Sequence, residues 1–442
     1  MNMELYVTDK QGEKTKKMIS GDAEAYVENQ VLNIYPDMEF QTFEGFGGAL
    51  TDASGYVFSH LTEEQQDELL TMYFDEKQMG YTQVRIPVDS CDFSTHLYEA
   101  DGCESDENLE KFSFADTERY ILPLLEAAQK KAGKRLKLML SPWSPPAYMK
   151  TNSSRVRGGE LKPEYRKRWA EYLCRYAEEF IKRGYEVTRM SIQNEPAAVQ
   201  TWDSCIYSSA QEKEFLRDYL VPALKAHGLE NIQLFIWDHN KERAYERARD
   251  TIDETTRDLI SGIAFHWYSG EHFEALDMIR RKFPEKKLIL SESCLEFGKY
   301  EKGQQLENAH RLAHDMIGNL NHGMNGFYDW NILLDEKGGP NHTENYCDAP
   351  YLFDMEKKTL ERRMCLDYYW HFSHFIRPGA VRLASTRYTD MLDFTVWKNR
   401  DQEVVFVLLN RKDAPMSCHI RFQGEAFSFE AAPCSIISGR IQ

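Results

Sequence analysis

Two glutamates at the ends of short apolar runs carry the chemistry that this chain can do. Glu195 closes the stretch Arg189-Met-Ser-Ile-Gln-Asn-Glu-Pro196. A strand must stop there, because proline has no N–H with which to extend a ladder. Asn194 stands beside the carboxylate, and Gln200 and Trp202 follow on the next loop. Glu292 follows the run Leu288-Ile-Leu290 in the same manner. Two carboxyl groups facing each other across a pocket suit glycoside hydrolysis. One protonates the leaving oxygen, and the other attacks the anomeric carbon or activates water, at separations of about 5–5.5 Å for retention and about 6.5–9.5 Å for inversion.

The elements that must position these groups read as a parallel sheet wound with helices. Eight runs have strand character: Gly45 to Asp52, Thr82 to Val88, Leu136 to Trp143, Arg189 to Gln193, Gln233 to Asp238, Gly262 to Tyr268, Lys287 to Ser291 and Gly326 to Leu333. Eight closes a barrel, which places Glu195 on the fourth strand and Glu292 on the seventh. Functional side chains of such barrels sit at the C-terminal strand ends. Here those ends carry Asp52, Arg85, Trp143, Asn194 with Glu195, Asp238, His266 with Tyr268, Glu292, and Trp330 with Asn331. Simple packing would have favoured Val or Ile there.

Helices are expected at Thr62 to Phe74, where Thr62 and Gln65 form a capping box, and at Pro163 to Lys182, with Gly184 just past the end. Others are expected at Thr117 to Ala132, Gln211 to Ala226, Gln304 to Leu320 and Leu360 to Ile376. After Pro378-Gly379 the pattern turns to six alternating strand-like runs between Arg382 and Ile441. Residues 1–43 hold three more, too poor in apolar side chains to form a core alone. The expected fold is therefore α/β: a (β/α)8 TIM barrel over 44–378, with a side β-sandwich built from strands in 1–43 and 379–442.

Composition bounds the function. The net charge of −17 argues against nucleic acid and anionic membrane surfaces as partners, since both require clustered cations. The N-terminal segment has no apolar signal-like region. Nine cysteines form no CxxC pair, which reads as free thiols in a reducing, cytoplasmic setting. His266 with Glu271 and His272 lacks any metal-ligand spacing, so neither metal nor cofactor is expected. Cys294 reads as a buried thiol. Gly45-Phe-Gly-Gly48 lacks phosphate-loop spacing and reads as relief of crowding on the first strand.

The chain resembles glycoside hydrolase family 30, the glucosylceramidase family, from Phe43 to the C-terminus. The resemblance rests on Glu44-Gly-Phe-Gly-Gly-Ala-Leu-Thr-Asp52, Arg85-Ile-Pro87 with Ser90-Cys-Asp-Phe-Ser94, Ser141-Pro-Trp-Ser-Pro145 with Met149-Lys-Thr-Asn152, and Asn194-Glu-Pro196. Downstream it continues in His266-Trp-Tyr268, Ser291-Glu292, Asp329-Trp-Asn331 and Gly338-Gly-Pro-Asn341. It implies a retaining β-glycosidase with Glu195 as acid/base, protonated near neutral pH, and Glu292 as nucleophile. Asn194 would bind the sugar 2-hydroxyl. Asp52, Trp143, Trp330 and Asn345 would hold other hydroxyls, with Trp330 and Asn345 near the 6-hydroxyl. Arg85 and Tyr268 would flank the nucleophile, and His266 would support the site.

The 6-hydroxyl contacts favour a glucose-like hexose over xylose, hence an exo-acting β-glucosidase on soluble β-glucosides or oligosaccharides. The same resemblance leaves β-xylosidase, β-fucosidase and β-1,6-glucanase action as alternatives. His342-Thr-Glu344 stands where the family's lysosomal members carry a Trp, which argues against a ceramide aglycone. A catalytically inactive sugar-binding barrel is the reading from another class, and the presence of both glutamates counts against it.

Overall fold

Short strands capped by turns, alternating with amphipathic helices, can bury all their apolar faces by closing on themselves. The computed structural model, which describes residues 1–25 and 27–442, shows that closure. The barrel strands are β4 (Gly45–Ala49), β5 (Gln83–Val88), β6 (Lys137–Pro142), β7 (Glu186–Ser191), β8 (Gln233–Asn240), β9 (Gly262–His266), β10 (Lys287–Glu292) and β11 (Gly326–Asp329). They form a closed parallel barrel in sequence order, and β11 returns to β4 through pairs such as Gly326 with Gly45. The glycines of β4 do relieve crowding: a Cβ on Gly47 would lie 2.2 Å from the Gln83 carbonyl oxygen, and one on Gly48 would lie 2.4 Å from Ile332.

Around the barrel run α1 (Asp52–Phe58), α2 (Glu63–Phe74), α3 (Ala115–Ala132), α4 (Arg166–Lys182), α5 (Ser209–Glu214), α6 (Val221–Ala226), α7 (Ala244–Thr251), α8 (Phe273–Lys282), α9 (Gln305–Asn321) and α10 (Met364–Ser373). The capping box of α2 is present in both directions. Between α5 and α6 the helix widens to a π-helical turn over Phe215–Leu220, just ahead of Pro222, which can neither donate nor tolerate the carbonyl four residues back.

Two expectations fail locally. The first strand ends at Ala49, and Thr51 caps α1, so Asp52 begins a helix. The helix expected from Leu360 starts only at Met364. Thr359–Arg362 instead forms β14, antiparallel to β13 (Tyr351–Asp354), which pairs with β12 (Leu334–Asp335).

Both chain ends share one nine-stranded sheet. The N-terminal strands are β1 (Asn2–Thr8), β2 (Lys14–Ser20) and β3 (Val31–Thr42). The C-terminal strands are β15 (Val381–Thr386), β16 (Leu392–Lys398), β17 (Val404–Asn410), β18 (Met416–Phe422), β19 (Glu425–Ala431) and β20 (Ser435–Ile441). Their order is β19-β18-β3-β15-β16-β17-β20-β1-β2. The fully buried strand β17 shows why it stays attached to the barrel. Val404, Phe406 and Leu408 enter the sheet's own core, whereas Val405, Val407 and Leu409 join the barrel core. Successive side chains point to opposite faces of a strand, so an unbroken apolar run is what two buried faces require.

Candidate active site

Arg85, in the middle of β5, is the hub of the barrel mouth. It is wholly buried, and its guanidinium donates to Glu292 Oε2 (2.7 Å), Asn194 Oδ1 (2.7 Å), Asp238 Oδ2 (3.0 Å) and Ser141 Oγ (3.1 Å). Four fixed acceptors match the planar fork of arginine better than a lysine point charge would. The rings of Trp143 and Trp330 stack on each other at 5.3 Å, and the guanidinium lies 4.8 and 5.3 Å from their centres. Arg85 thus orients the carboxylate, the amide and the aromatic wall together. Because Asn194 turns its oxygen to Arg85, its NH2 is free to donate elsewhere.

Glu292 ends β10 and takes a second hydrogen bond from the Tyr268 hydroxyl at 2.8 Å. Glu195 lies four residues past the end of β7, with φ at +47°. That is left-handed backbone on a residue preceding proline, costing roughly 1–3 kcal/mol. Its amide N–H donates to the Asp238 carbonyl at 2.9 Å, tying the ends of β7 and β8. Glu195 and Glu292 approach each other so that carboxylate oxygens lie within 4.8 Å, with a His266 ring nitrogen in the same cluster. Such closeness suits direct attack by one carboxylate and leaves too little room for the water an inverting pair must hold.

His266, at the end of β9, is fully buried between acids. Its Nδ1 lies 3.2 Å from Glu195 Oε1, and its Nε2 lies 3.1 Å from Asp238 Oδ1. Burial alone would lower its pKa, but the Glu292 charge and the contacts with Asp238 and Glu195 outweigh it and bring the ring up to about 9. Burial likewise pushes Glu195 up, yet the His266 contact and the charges of His239 and His266 carry it down to about 2. Glu292 goes the other way: burial and the Glu195 charge hold it above the ordinary range against the pull of His266 and Arg85. Both directions favour a charged imidazole beside an ionised Glu195 carboxylate, one hydrogen bond apart. The resemblance places that proton on Glu195 itself near neutral pH. Three donors this close could in principle enclose a cation. Both Glu292 oxygens, however, already accept from Arg85 and Tyr268, the wiring of a carboxylate with its own counter-charge.

A cavity of about 140 Å³ opens over this cluster. Trp143, Asn194, Glu195, Tyr268, Glu292, Trp330 and Asn345 all line it. Arg85 and His266 lie beneath the carboxylates. Asp52 is the exception. Its carboxylate is buried at the start of α1 and accepts from the Thr95 amide at 2.7 Å, so it is spent on fixing the loop after β5. Asp92 stands in the cavity wall instead, accepting from Asn341 (3.3 Å) and Asn345 (3.4 Å). Burial and the charges of Glu292 and Glu195 push its carboxyl well above the ordinary range. Counting strand ends alone misses it, because Asp92 lies four residues past β5. The motif Ser90-Cys-Asp-Phe-Ser94 was the available signal. Sequence reading also passed over His239, Asn240, Glu296 and Lys299, which line the same cavity.

A (β/α)8 barrel whose mouth holds a close carboxylate pair, wired to one arginine and walled by tryptophans, defines a glycosidase. Comparison with known proteins makes the class specific. Residues 43–376 match the glycosyl hydrolase family 30 TIM-barrel domain and residues 379–438 the family 30 beta sandwich domain, so the chain belongs to glycosyl hydrolase family 30. The lysosomal acid glucosylceramidase of Mus musculus is 30% identical over 408 residues, 88% of this chain and 79% of that one. An endo-1,6-beta-D-glucanase of Neurospora crassa is 25% identical over 79% of this chain and 74% of its own. Among solved structures, SrfJ from Salmonella typhimurium superposes with a TM-score of 0.97 at 34% identity, covering both chains completely.

Proposed function

We propose that the protein is a retaining, exo-acting β-glucosidase that removes single glucose units from soluble β-glucosides or oligosaccharides. The observation that carries this reading is the pair Glu195 and Glu292, with oxygens within 4.8 Å at the floor of a cavity of about 140 Å³.

Glu292 attacks the anomeric carbon while the bond to the leaving oxygen breaks. Arg85 and Tyr268 fix its two oxygens, so the attacking lone pair is aimed before substrate arrives. Glu195 delivers a proton, drawn from His266 across their 3.2 Å contact, to the departing oxygen and is left ionised. The free amide of Asn194 donates to the 2-hydroxyl, a contact that tightens as positive charge develops on the ring. Asp92, Trp143, Trp330 and Asn345 hold the remaining hydroxyls. In the second half, Glu195 takes a proton from water, the oxygen displaces Glu292, and the sugar leaves with its original configuration.

Support for glucose comes from Trp330 and Asn345 on the wall assigned to a 6-hydroxyl, and from relatives named for glucosylceramide and β-1,6-glucan. Action on β-1,6-linked glucan is the second reading, favoured by the polar residues around the mouth. The nine cysteines are all free and seven are buried, which supports a reducing, cytoplasmic setting. Among the described residues no helix is long and apolar enough to cross a membrane.

The decisive experiment is a panel of aryl β-D-glucoside, xyloside, fucoside and galactoside, with proton NMR of the first-formed sugar. A hydrogen-bonding site deprived of its partner hydroxyl can discriminate by ~10⁴. A xyloside turned over as well as the glucoside removes the glucose assignment, and an α-anomer released from a β-glycoside removes retention.

A further inference from the structure

A second cavity, of about 390 Å³, lies where the side sheet meets α8 and α9, and it shares no lining residue with the active site. The sheet itself opens there. Strand β15 pairs with β16 only over Val381–Leu383, yet it runs on beside β3 as far as Thr386. The two strands part after Leu383, and Ser385 and Phe394 from either side of the gap face the same space.

Positive charge around this cavity is only partly matched. Asp393, buried on β16, accepts from His314 Nδ1 at 2.7 Å and from Arg387 at 2.6 Å, and it lies 3.0 Å from Arg411 Nε. One carboxylate thus serves three cationic side chains. Arg382, on β15, has no such partner. Its Nε donates to the Gln41 side-chain oxygen at 3.1 Å, and its guanidinium lies 3.7 Å from the centre of the Phe40 ring. Among the described residues its two Nη groups meet no acceptor and it makes no ion pair. Burial lowers its pKa to about 10, with Arg280 adding to the effect and Asp277 opposing it, so at neutral pH the charge stays.

That fork is partly exposed and lines the cavity, so a ligand can reach it. His322 stands on the same wall, stacked on Phe273 at 5.3 Å, with Nδ1 held by Asp277 at 2.8 Å and Nε2 without a partner among the described residues. The Ser385 hydroxyl is likewise unpaired. Glu271 and Asp277, the acids at the rim, are 67% and 59% exposed, where water and salt screen them. Desolvating a guanidinium without an anion costs free energy that stacking on Phe40 offsets only in part. An oxyanion would remove that cost. The planar fork matches two phosphate oxygens, with a hydroxyl and an imidazole to meet the others. Phe273 and Phe394 leave apolar faces for an attached ring.

We infer that Arg382, His322 and Ser385 form a noncatalytic binding site for phosphate, with room for a sugar-sized substituent. It is independent of the chemistry at the barrel mouth.

The test is isothermal titration calorimetry of the full chain at low salt with inorganic phosphate, glucose 6-phosphate and, as an uncharged control, glucose. Phosphate should bind with a dissociation constant on the order of 1 mM. Arg382→Gln removes the charge and keeps an amide, and Ser385→Asp sets a negative charge in the cavity from a partly exposed position, which covers the event that the first variant folds poorly. Each should weaken phosphate binding at least tenfold and leave aryl glucoside turnover unchanged. Glucose 6-phosphate bound more than tenfold tighter than phosphate, with the same loss in both variants, identifies a phosphate monoester as the occupant. Equal affinities identify free phosphate. Glucose reports on the barrel mouth and should respond to neither variant. No binding of either phosphate compound by the parent below about 10 mM, or affinities unmoved in both variants, overturns the inference.

Discussion

Two fully buried histidines sit at opposite levels of this molecule and are driven in opposite directions. His266, in the barrel mouth, has the carboxylates of Glu195, Asp238 and Glu292 within 4 Å and is raised to about 9. His371, on α10 at the junction of barrel and sheet, lies between two hydroxyls, Thr8 Oγ1 and Ser438 Oγ, each 2.7 Å away. Burial there, aided by the charges of Lys14 and His374, lowers it to about 3. Burial opposes charge in both places. What differs is whether anions are present to repay desolvation. The mouth stores charge for chemistry, and the junction excludes charge and spends its hydrogen bonds on joining β1, β20 and α10.

The comparison is broken most severely by removing the carboxylates. Glu292→Gly should lower kcat by on the order of 10⁵, with partial return of turnover when azide or formate is supplied as a small nucleophile. Glu195→Ala should cost about 10²–10⁴ on poor leaving groups and much less on activated aryl glucosides, where the glycosyl-enzyme should accumulate in mass spectra. If either variant keeps near-parental kcat on a disaccharide, the mouth is not where the chemistry happens.

Arg85→Met takes away the counter-charge that the mouth depends on. It leaves Glu292 and Asp238 without their buried partner, so a loss of about 3–5 kcal/mol in unfolding free energy is expected, read as a lower midpoint in urea, with activity falling alongside. Unchanged stability would mean that water reaches these acids.

His266→Asn sharpens the comparison through pH. For kcat/KM the parent acid limb should lie above the ordinary carboxylate range, where Glu292 gains its proton, and the alkaline limb near 9, where His266 loses its own. In the variant Glu195 has to hold the proton alone, so the alkaline limb should move down by more than one pH unit. A limb that stays near 9 assigns the proton elsewhere.

The last contrast lies in the pH dependence of stability. A pKa raised on folding stabilises fully below the unfolded value near 6.5, and that contribution is lost as pH rises toward 9; this is His266. A pKa lowered on folding acts in reverse: the contribution of neutral His371 is present above 6.5 and is lost as pH falls toward 3. Each pH unit traversed is worth about 1.4 kcal/mol per group. Thermal unfolding of His371→Gln should thus lose part of the acid-side decline, and His266→Asn part of the alkaline-side decline. Identical pH dependence in the two variants would erase the distinction between mouth and junction.

Much of this was already legible in residue order. Thr62 and Gln65 fix the start of α2, the apolar runs fix eight strands, and Asn194-Glu-Pro196 and Ser291-Glu292 bring two carboxylates to the ends of strands four and seven. These features depend on periodicity and turn chemistry, which act over a few residues. The overlooked strand β14 shows the limit. Thr359–Arg362 has no helix-breaking residue, and only pairing with Tyr351–Asp354 extends it.

The site itself was decided by contacts between distant segments. Arg85 and Glu292 are 207 positions apart in the chain, and Thr51 meets Asn331 across 280. That second contact belongs to the cap that turns the chain into α1 and buries Asp52, leaving the cavity wall to Asp92. The proton on His266 is likewise set by three acids from three different strand ends. No stretch of sequence carries that information, because the electrostatic energy of a buried group depends on distances in space, and only closure of the barrel brings those charges within reach of one another.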